Sequence, residues 1–471
     1  MTIRIPVPVR ALPVPESDIW QRIGEWLQRH QSAIRRVQWS VVSIYVVLLV
    51  VPVLLPLPDH TAYLWSNFTR FAQFVFWGIW WPFVLLSTAL VGRVWCGLLC
   101  PEGALTELVS GHGRGRAIPR WMTWPGWPTV AFGSTTLYGQ MISVYQYPYP
   151  ALLILGGSTL AAVAVGYLYG RNKRVWCRYL CPVSGVFGLL AKLAPLHFQV
   201  DPFLWQRSQL SKIKPGPVNC APLVPLRTMR GARDCHMCGR CSGFRGAIRL
   251  ARRSPNHEIV YVAGKTPKPW ETVLIVFGLM GVAIGAFHWS ASPWLVAAKQ
   301  IAAEQLLEAG WSWPLETTAP WWVFTNYPER NDVLTLLDGT VLVAYVLTTA
   351  IAFGVAVALS LAVAARSLGP WAASRFHHMA QTLIPLAGAG VFLGLSALTI
   401  SQLRSDGLDL PFVDALRAFV LVLASCWSGV LCWRVTSIYT RATVRRAFAV
   451  LAVSLGMTVV GSGWVLLFWI W

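Results

Sequence analysis

Long uninterrupted runs of apolar residues constrain this chain more than any other feature. Because a helix needs about 20 residues to cross a bilayer, about nine of these runs are long enough to do so. They lie near residues 38–57, 68–91, 122–145, 151–170, 270–289, 335–362, 380–400, 412–433 and 447–469. A hydrophobic content of 55% with only 12% charged residues excludes a soluble globule of this length. Backbone groups inside a bilayer must be hydrogen-bonded within the protein, so we expect an all-α polytopic membrane protein.

Many of the basic residues behind the net charge of +20 lie in the connections between the apolar runs. The positive-inside rule places these basic connections in the cytoplasm. The connections on the other side include Asp59 and the long segment 290–333, which holds Glu304 and Glu308. We therefore expect a bacterial inner-membrane protein with a cytoplasmic N-terminus and a periplasmic C-terminus. Since lysine and arginine set orientation here, the charge does not indicate a nucleic-acid partner.

The same pattern divides the chain into four segments. Residues 1–37 form a cytoplasmic, amphipathic N-terminal segment, which either lies on the membrane surface or packs on a partner. Residues 38–194 form a duplicated transmembrane unit, and residues 195–268 form a hydrophilic cytoplasmic insert. Residues 269–471 form a C-terminal transmembrane domain that includes the periplasmic segment 290–333.

The insert contains a C-x2-C-x2-C run made by Cys235, Cys238 and Cys241, with Cys220 upstream. Three thiols spaced in this way can reach three corners of one iron–sulfur cube, and a fourth, remote thiol can complete it. A structural zinc site is the alternative, but zinc sites usually bring their ligands in separated pairs. A disulfide is less favoured because a cytoplasmic loop lies in a reducing compartment. We expect these four cysteines to hold one ferredoxin-like [4Fe-4S] cluster.

An internal repeat supplies the second cysteine pattern. Residues 93–101 (RVWCGLLCP) and 174–182 (RVWCRYLCP) are identical at seven of nine positions. Within each copy the cysteines are four apart, which places both thiols on one face of a helix. The four cysteines are Cys96, Cys100, Cys177 and Cys181. They suit a second [4Fe-4S] cluster or a tetrahedral iron or zinc, whereas the alternative is that they pack as buried free thiols.

These two patterns resemble those of the membrane polyferredoxins grouped with the NapH and NosR components of nitrate and nitrous-oxide respiration, and in part the oxidase-assembly protein CcoG. The resemblance covers approximately residues 40–255. It implies electron transfer through iron–sulfur clusters, with quinol as the donor in some relatives. The extended C-terminal half also resembles the ferredoxin-like subunit of bacterial ferrous-iron uptake systems, which accompanies a permease and periplasmic metal proteins.

The chain departs from the ferredoxin pattern at one informative place. Ferredoxin domains of this kind usually carry the run C-x2-C-x2-C-x3-C-P twice. Here the run occurs once, and Arg245 and Gly246 stand where the fourth cysteine and the proline would be. This departure favours a single cluster in the insert, with Cys220 as its fourth ligand.

Candidate functional residues in the C-terminal half are weaker. His377 and His378 are adjacent, so they point to different sides of a helix, and solvated interfacial histidines are favoured over ligands of a haem or a quinone. Asp414 and Arg417 are three apart, so they either pair locally or mark a path for ions or protons.

The sequence as a whole favours a membrane iron–sulfur electron-transfer protein. It would connect the cytoplasmic side or the quinone pool with a periplasmic redox or metal-binding protein, alone or beside a permease subunit. If it has activity of its own, an oxidoreductase component of quinol dehydrogenase or metal reductase type is expected. The alternative is a metal transporter or metal-handling protein that uses the thiol sites without net electron flow.

Overall fold

The computed structural model describes residues 19–59, 62–210 and 216–471, so the first 18 residues of the expected N-terminal segment lie outside it. The described residues form 21 α-helices. They are α1 (Ile19–Arg29), α2 (Gln31–Leu54), α3 (Phe68–Gln73), α4 (Trp81–Val91), α5 (Val94–Leu98), α6 (Pro101–Gly111), α7 (Trp127–Met141), α8 (Pro148–Ala151), α9 (Gly157–Tyr169), α10 (Val175–Tyr179), α11 (Ser184–Leu190), α12 (Pro202–Leu210), α13 (Pro269–Val273), α14 (Ala283–His288), α15 (Pro293–Glu308), α16 (Trp313–Glu316), α17 (Leu336–Ser367), α18 (Ala373–Gln381), α19 (Ile384–Ser405), α20 (Val413–Tyr439) and α21 (Thr443–Val465).

Eight continuous helical stretches in the described part of the chain are long and apolar enough to cross a membrane. They are Gln31–Leu54, Phe68–Val91, Pro148–Tyr169, Pro269–His288, Leu336–Ser367, Ile384–Ser405, Val413–Tyr439 and Thr443–Ile470. Four of them contain a π-helical stretch, in which backbone hydrogen bonds join residues five apart instead of four. These stretches are Phe74–Trp80, Leu152–Gly156, Leu274–Val282 and Leu466–Ile470. The all-α polytopic class expected from the sequence is confirmed.

The ninth apolar run, near residues 122–145, becomes the shorter helix α7 of 15 residues. Thr129 near its start donates a hydrogen bond to the carbonyl of Trp270 (3.1 Å), at the beginning of the next span. The carbonyl of Met141 at its end accepts one from the amide of Thr325 (2.8 Å), in the segment that follows that span. Helix α7 therefore runs between the same two ends of the bundle as the eight longer stretches. We call these the insert end, where residues 195–268 pack, and the far end.

The insert is built on a two-stranded antiparallel sheet. Strand β1 (Leu196–Val200) pairs with β2 (Ile248–Arg252), with Phe198 opposite Leu250. Helix α12 follows β1, and its Trp205 joins Phe198 and Leu250 in a small core together with Cys235 and Cys241. Two further strands at the far end, β3 (Asn326–Tyr327) and β4 (Asp332–Val333), also pair antiparallel. The chain on either side of the cysteine run is thus fixed by sheet pairing.

Helix α1 packs on the insert at Gly24. A Cβ at this glycine would lie 2.8 Å from Oγ of Ser242 and 3.1 Å from Cβ of Leu250, so only glycine permits this approach. Ile19 and Trp26 of the same helix stay exposed. The sequence left open whether this segment lies on the membrane surface or packs on a partner. One face of α1 packs on a partner, and that partner is the insert of the same chain.

The C-terminal half shares one apolar core with the duplicated unit. Leu361, Ile384 and Leu431 of the C-terminal helices belong to the same cluster of buried residues as Leu85 and Phe187. Asp414 and Arg417 form the local pair that their spacing suggested, with Oδ1 and Nη1 3.2 Å apart. The C-terminal half is thus a packed continuation of the bundle.

The interpretation of both adjacent histidines as solvated is wrong for His378, which is 2% exposed. Its Nε2 lies 2.8 Å from the carbonyl oxygen of Ile259, and its Nδ1 lies 2.7 Å from the hydroxyl of Tyr439. His377 faces Thr272, with Nδ1 and Oγ1 2.9 Å apart. The sequence could not show these partners because they lie more than 60 residues away along the chain. His378 holds the end of the insert against the C-terminal helices.

Candidate iron–sulfur site

The first Cys-x3-Cys-Pro motif lies on a re-entrant hairpin inside the bundle. The chain leaves α4 at Gly92, whose φ of +78° suits glycine, and turns inward through α5, which carries Cys96. Glu102, in the first turn of α6, accepts a hydrogen bond from Oγ of Ser158 (2.6 Å). Ser158 lies 11 residues before Tyr169, the last residue of α9. At 1.5 Å per residue, Glu102 thus lies about 16 Å below the insert end of that helix.

Helix α6 then returns to the insert end beside α9. Oγ1 of Thr106 donates to the carbonyl of Ala162 (2.8 Å), and the carbonyl of Ser110 accepts from the amide of Asn172 (3.0 Å). Pro101 occupies the first turn of α6, where its missing N–H costs nothing. The proline therefore separates two short helices, and Cys100 lies at the break between them. This position is deeper in the bundle than the insert end of α9.

The second motif packs against the same helix. Cys177 lies in α10 and Cys181 precedes α11, and both belong to a small apolar cluster with Ala162 of α9. Trp176 donates from its indole Nε1 to Oε2 of Glu102 (3.1 Å), which links the two copies of the repeat. Cys96, Cys100, Cys177 and Cys181 all line one cavity of about 240 Å³, which we call the cysteine cavity. The structure thus brings together the four thiols that the sequence predicted would converge.

Two arginines beside these thiols were not recognised as site residues from the sequence. Arg93 and Arg174 are 4% and 1% exposed, although arginine is almost never fully buried unless it is paired. Arg174 donates from Nη1 to the carbonyl of Cys96 (2.7 Å) and pairs through Nε with Glu107 (2.7 Å). Arg93 donates from Nη1 to the carbonyl of Arg233 (3.0 Å) and lines the cysteine cavity. The repeat gave the one sequence indication of their importance, because both copies begin with arginine.

The four cysteines of the insert are also neighbours. Burial, together with nearby Cys238 and Cys220, raises the pKa of the Cys235 thiol to about 12. Burial likewise raises the pKa of Cys241, as do Cys235, Cys238 and Cys220. Cys220, predicted as the remote fourth ligand, is thus close to the other three. Because thiols with raised pKa values keep their protons, bound iron would be needed to hold this group as thiolates.

The loop that carries Cys238 touches the membrane motif directly. A Cβ at Gly97 would overlap the carbonyl oxygen of His236 and lie 2.9 Å from the amide nitrogen of Cys238. In the second copy the equivalent residue is Arg178, which pairs with Asp234 at 2.8 Å. The insert therefore contacts both copies of the repeat at the same position. This position is one of the two at which the copies differ in sequence. Cys96, which precedes Gly97, and Cys238 thus lie on either side of this backbone contact.

The residues of both groups fit a [4Fe-4S] cluster. All eight thiols are free, and the cysteine cavity encloses four of them. Arg93 Nε, Arg174 Nη2 and His236 Nδ1 are buried polar atoms that have no hydrogen-bond partner among the described residues. Such donors suit the sulfur atoms of a cluster, whose potential depends on hydrogen bonds and charge around it. In the described part of the chain, no three histidine, cysteine or acidic side chains are close enough to bind one metal ion.

Comparison with known proteins supports the same cofactor. A family model described as a 4Fe-4S binding domain matches residues 73–119 and 152–200. Each match contains one Cys-x3-Cys-Pro motif and the span before it, and the second match ends before the cysteine run of the insert. The expectation of a [4Fe-4S] cofactor is confirmed. The assignment of individual cysteines to a cluster remains a prediction.

Two curated proteins are similar to this chain. The putative electron transport protein YccM of Escherichia coli is 24% identical over 235 residues, which cover 43% of this chain and 62% of YccM. The regulatory protein NosR of Pseudomonas aeruginosa is 30% identical over 187 residues, which cover 34% of this chain and 25% of NosR. The chain thus spans less than two thirds of each relative, and no solved structure matches it. These similarities confirm the resemblance to the NosR-like membrane polyferredoxins.

Proposed function

We propose that this relative of YccM and NosR moves electrons through two [4Fe-4S] sites, one in the insert and one between the re-entrant hairpins. The observation that carries the proposal is the contact of Gly97 with the backbone of His236 and Cys238. It brings the two cysteine groups together at a single interface within one chain. Electron transfer between sites needs such proximity, whereas separate structural metal sites do not.

The proposal gives each cysteine group one role. Cys220, Cys235, Cys238 and Cys241 hold the cluster of the insert, and Cys96, Cys100, Cys177 and Cys181 hold the cluster in the cysteine cavity. When bound, a [4Fe-4S] cluster supplies one-electron redox chemistry. The protein supplies burial, orientation and charge. Arg93 and Arg174 place positive charge beside the cysteine cavity, which favours the more negative, reduced state of the site.

The surroundings of the cysteine cavity support a membrane-soluble donor or acceptor. Its walls include Trp77, Trp80 and Phe287, and its lining is mostly apolar. The Trp80 ring lies edge-to-face with that of Trp95, beside Cys96, with ring centroids 4.9 Å apart. A quinone head group suits an apolar, aromatic pocket of this kind. Quinone is therefore one proposed partner of the membrane site.

The proposed orientation follows from charge. We assign the insert end to the cytoplasm because its connections are basic, and the far end would then face the periplasm. The exposed Trp311, Trp313 and Trp322 of segment 290–333 form a far-end surface for a periplasmic redox or metal-binding protein. This arrangement fits both a respiratory reductase and a ferrous-iron uptake system that includes a permease.

Anaerobic purification followed by iron and sulfide analysis and electron paramagnetic resonance tests the proposal. We expect about eight iron and eight sulfide per chain for two [4Fe-4S] clusters. Cys238→Ser should remove one signal, and Cys177→Ser should remove a different one. Cys426→Ser is the matched control, because this cysteine is exposed and lies outside both groups.

Two results would contradict the proposal. The absence of any reducible iron–sulfur signal would favour a metal-handling protein without net electron flow. Loss of the same signal in Cys238→Ser and Cys177→Ser would show that the two groups do not hold separate clusters. Both results are read against an unchanged spectrum of the Cys426→Ser control.

A further inference from the structure

A second cavity, of about 990 Å³, lies at the far end of the bundle and is lined by four arginines. We call it the arginine cavity. Arg70 comes from α3, Arg330 from the connection before α17, Arg404 from the end of α19 and Arg417 from the start of α20. Among the described residues that line it, Asp332 is the only acidic one. Elements distant in sequence thus bring four positive charges to one enclosed space.

Few of these charges are neutralised. The carboxylate of Asp332 accepts a hydrogen bond from the hydroxyl of Tyr147 (2.7 Å) and has no ion pair among the described residues. Arg417 pairs with Asp414 on one side, but its Nε is buried without a partner in the described part of the chain. Arg330 donates to the carbonyl of Leu57 (2.7 Å) and lies 3.9 Å from Asp59. That carboxylate is 89% exposed, so its pairing is worth little.

The other two arginines have unused donors. The guanidinium groups of Arg70 and Arg404 make no hydrogen bond or ion pair with any described residue, and both line the cavity. Positive charges in a partly enclosed, low-dielectric space attract anions more strongly than they would in open water. Guanidinium groups also match the geometry of carboxylate and phosphate oxygens, which they bind in pairs.

We propose that the arginine cavity binds an anionic ligand through carboxylate or phosphate groups. Its volume is in the range of small-molecule sites, which are about 300–1,000 Å³. Both a soluble small molecule and the head group of an anionic lipid carry this chemistry. The binding itself does not depend on the iron–sulfur sites.

The location of the cavity relates its ligand to electron transfer, and this relation rests on the proposed function. Tyr145 and Phe287 line both the arginine cavity and the cysteine cavity. The Tyr145 ring also lies edge-to-face with Trp77, with centroids 4.8 Å apart. A ligand at the floor of the arginine cavity would therefore contact the same two side chains that close the cysteine cavity.

Inorganic phosphate is the probe for the test, and binding is read as a rise in the thermal unfolding midpoint. The full chain is placed in phosphatidylcholine nanodiscs, and ionic strength is kept constant with chloride. We expect a saturable rise for the wild type, because a ligand that binds only the folded state stabilises it. The double variant Arg70→Gln with Arg404→Gln should bind phosphate at least tenfold more weakly. Arg445→Gln, an exposed arginine at the insert end, is the control and should behave as the wild type.

A second arm identifies the source of the anion. If phosphatidylglycerol in the nanodiscs raises the midpoint of the wild type but not of the double variant, and abolishes the phosphate effect, the ligand is a lipid head group. If phosphate still binds in those nanodiscs, the ligand is a soluble anion. No saturable effect of either probe, or equal effects in the wild type and the double variant, would overturn the proposal. Since the readout is thermal unfolding, the result is independent of whether the iron–sulfur sites transfer electrons.

Discussion

Arg93 and Arg174 have a structural role that their positive charge alone does not indicate. In the sequence they belong to basic connections, and their evident role is to set membrane orientation. In the structure both are buried beside the cysteine cavity and donate to backbone carbonyls of the partner elements. The repetition of RVWC in both copies was the available signal, because packing alone rarely requires a buried arginine.

Arg174→Gln should destabilise the protein strongly. The substitution removes the ion pair with Glu107 and alters the donor to the carbonyl of Cys96. Breaking a buried ion pair from one side typically costs about 3–5 kcal/mol, and Arg240 remains to compensate part of the Glu107 charge. We expect a lower thermal unfolding midpoint and a lower yield of the membrane-site signal in electron paramagnetic resonance. Arg171→Gln, an exposed neighbour, should change neither quantity.

Gly97 is the residue on which the contact between the two cysteine groups depends. Gly97→Val should push the loop of His236 and Cys238 away, because a side chain here overlaps the loop backbone. Overpacking of this kind costs about 1–3 kcal/mol. We expect slower electron exchange between the two iron–sulfur signals, measured by rapid-freeze spectroscopy after reduction. The control Gly133→Ala has no atom within 4 Å of its new Cβ, and an unchanged exchange rate in Gly97→Val would show that the contact is not the route.

At the scale of elements, the docking of helix α1 on the cysteine run was not foreseeable from amphipathicity. Nε2 of Gln31, at the start of α2, donates to the carbonyl of Cys238 (3.0 Å), and its Oε1 accepts from Nε of Arg240 (3.1 Å). A Cβ at Gly239 would overlap that of Leu27. The N-terminal helices thus cover the loop that carries the cysteine run.

Gln31→Leu should make the insert cluster more sensitive to oxygen and chelators. The substitution removes both hydrogen bonds that hold the loop and leaves the carbonyl of Cys238 without this donor. Leaving a fully buried group unsatisfied costs about 1–3 kcal/mol, and this part-buried carbonyl should lose less, enough for the loop to open more often. Iron release to a chelator would be followed by absorbance and should be several-fold faster than in the wild type. Gln28→Leu is the matched control because this side chain is exposed on the preceding helix α1.

At the scale of the whole molecule, one buried ion network joins the duplicated unit, the insert and the C-terminal half. Glu271 of α13 pairs with Lys192, which follows α11, and with Arg233 of the insert. Nζ of Lys192 also donates to Oε1 of Gln381 (2.6 Å), at the end of α18. The three segments that the sequence separates are therefore held together by an ion network in which Lys192 and Glu271 are buried and Arg233 is partly exposed.

Glu271→Gln should loosen all three segments together. The substitution leaves the buried Lys192 without its carboxylate, whereas Arg233 keeps Asp234 (3.2 Å), and an uncompensated buried charge costs about 3–5 kcal/mol. We expect a single, lower unfolding transition in which the insert signal and the helical signal are lost together. Two separate transitions would contradict the joint role of the network. Glu304→Gln, exposed at the far end and without an ion pair among the described residues, should leave the transition unchanged.

The sequence by itself determined the class of the protein and its cofactor. Hydrophobic run length gives the all-α membrane fold, because a bilayer accepts only backbones that are fully hydrogen-bonded within the protein. Cysteine spacing gives the iron–sulfur chemistry, because a cluster needs thiolates at fixed intervals. Both are local properties of the chain. The spacing also identified all eight cysteines that lie in the two groups of the structure.

Only the tertiary structure decided how these parts lie relative to one another. The depth of the re-entrant hairpins depends on contacts such as Glu102 with Ser158, and the burial of His378 depends on Tyr439. The arginine cavity is lined by Arg70, Arg330 and Arg417, which are up to 347 residues apart along the chain. No local pattern encodes such pairings, since they are selected by packing and charge compensation across the whole bundle. The same physical reason makes the contact at Gly97 a property of the fold, although the glycine itself is visible in the repeat.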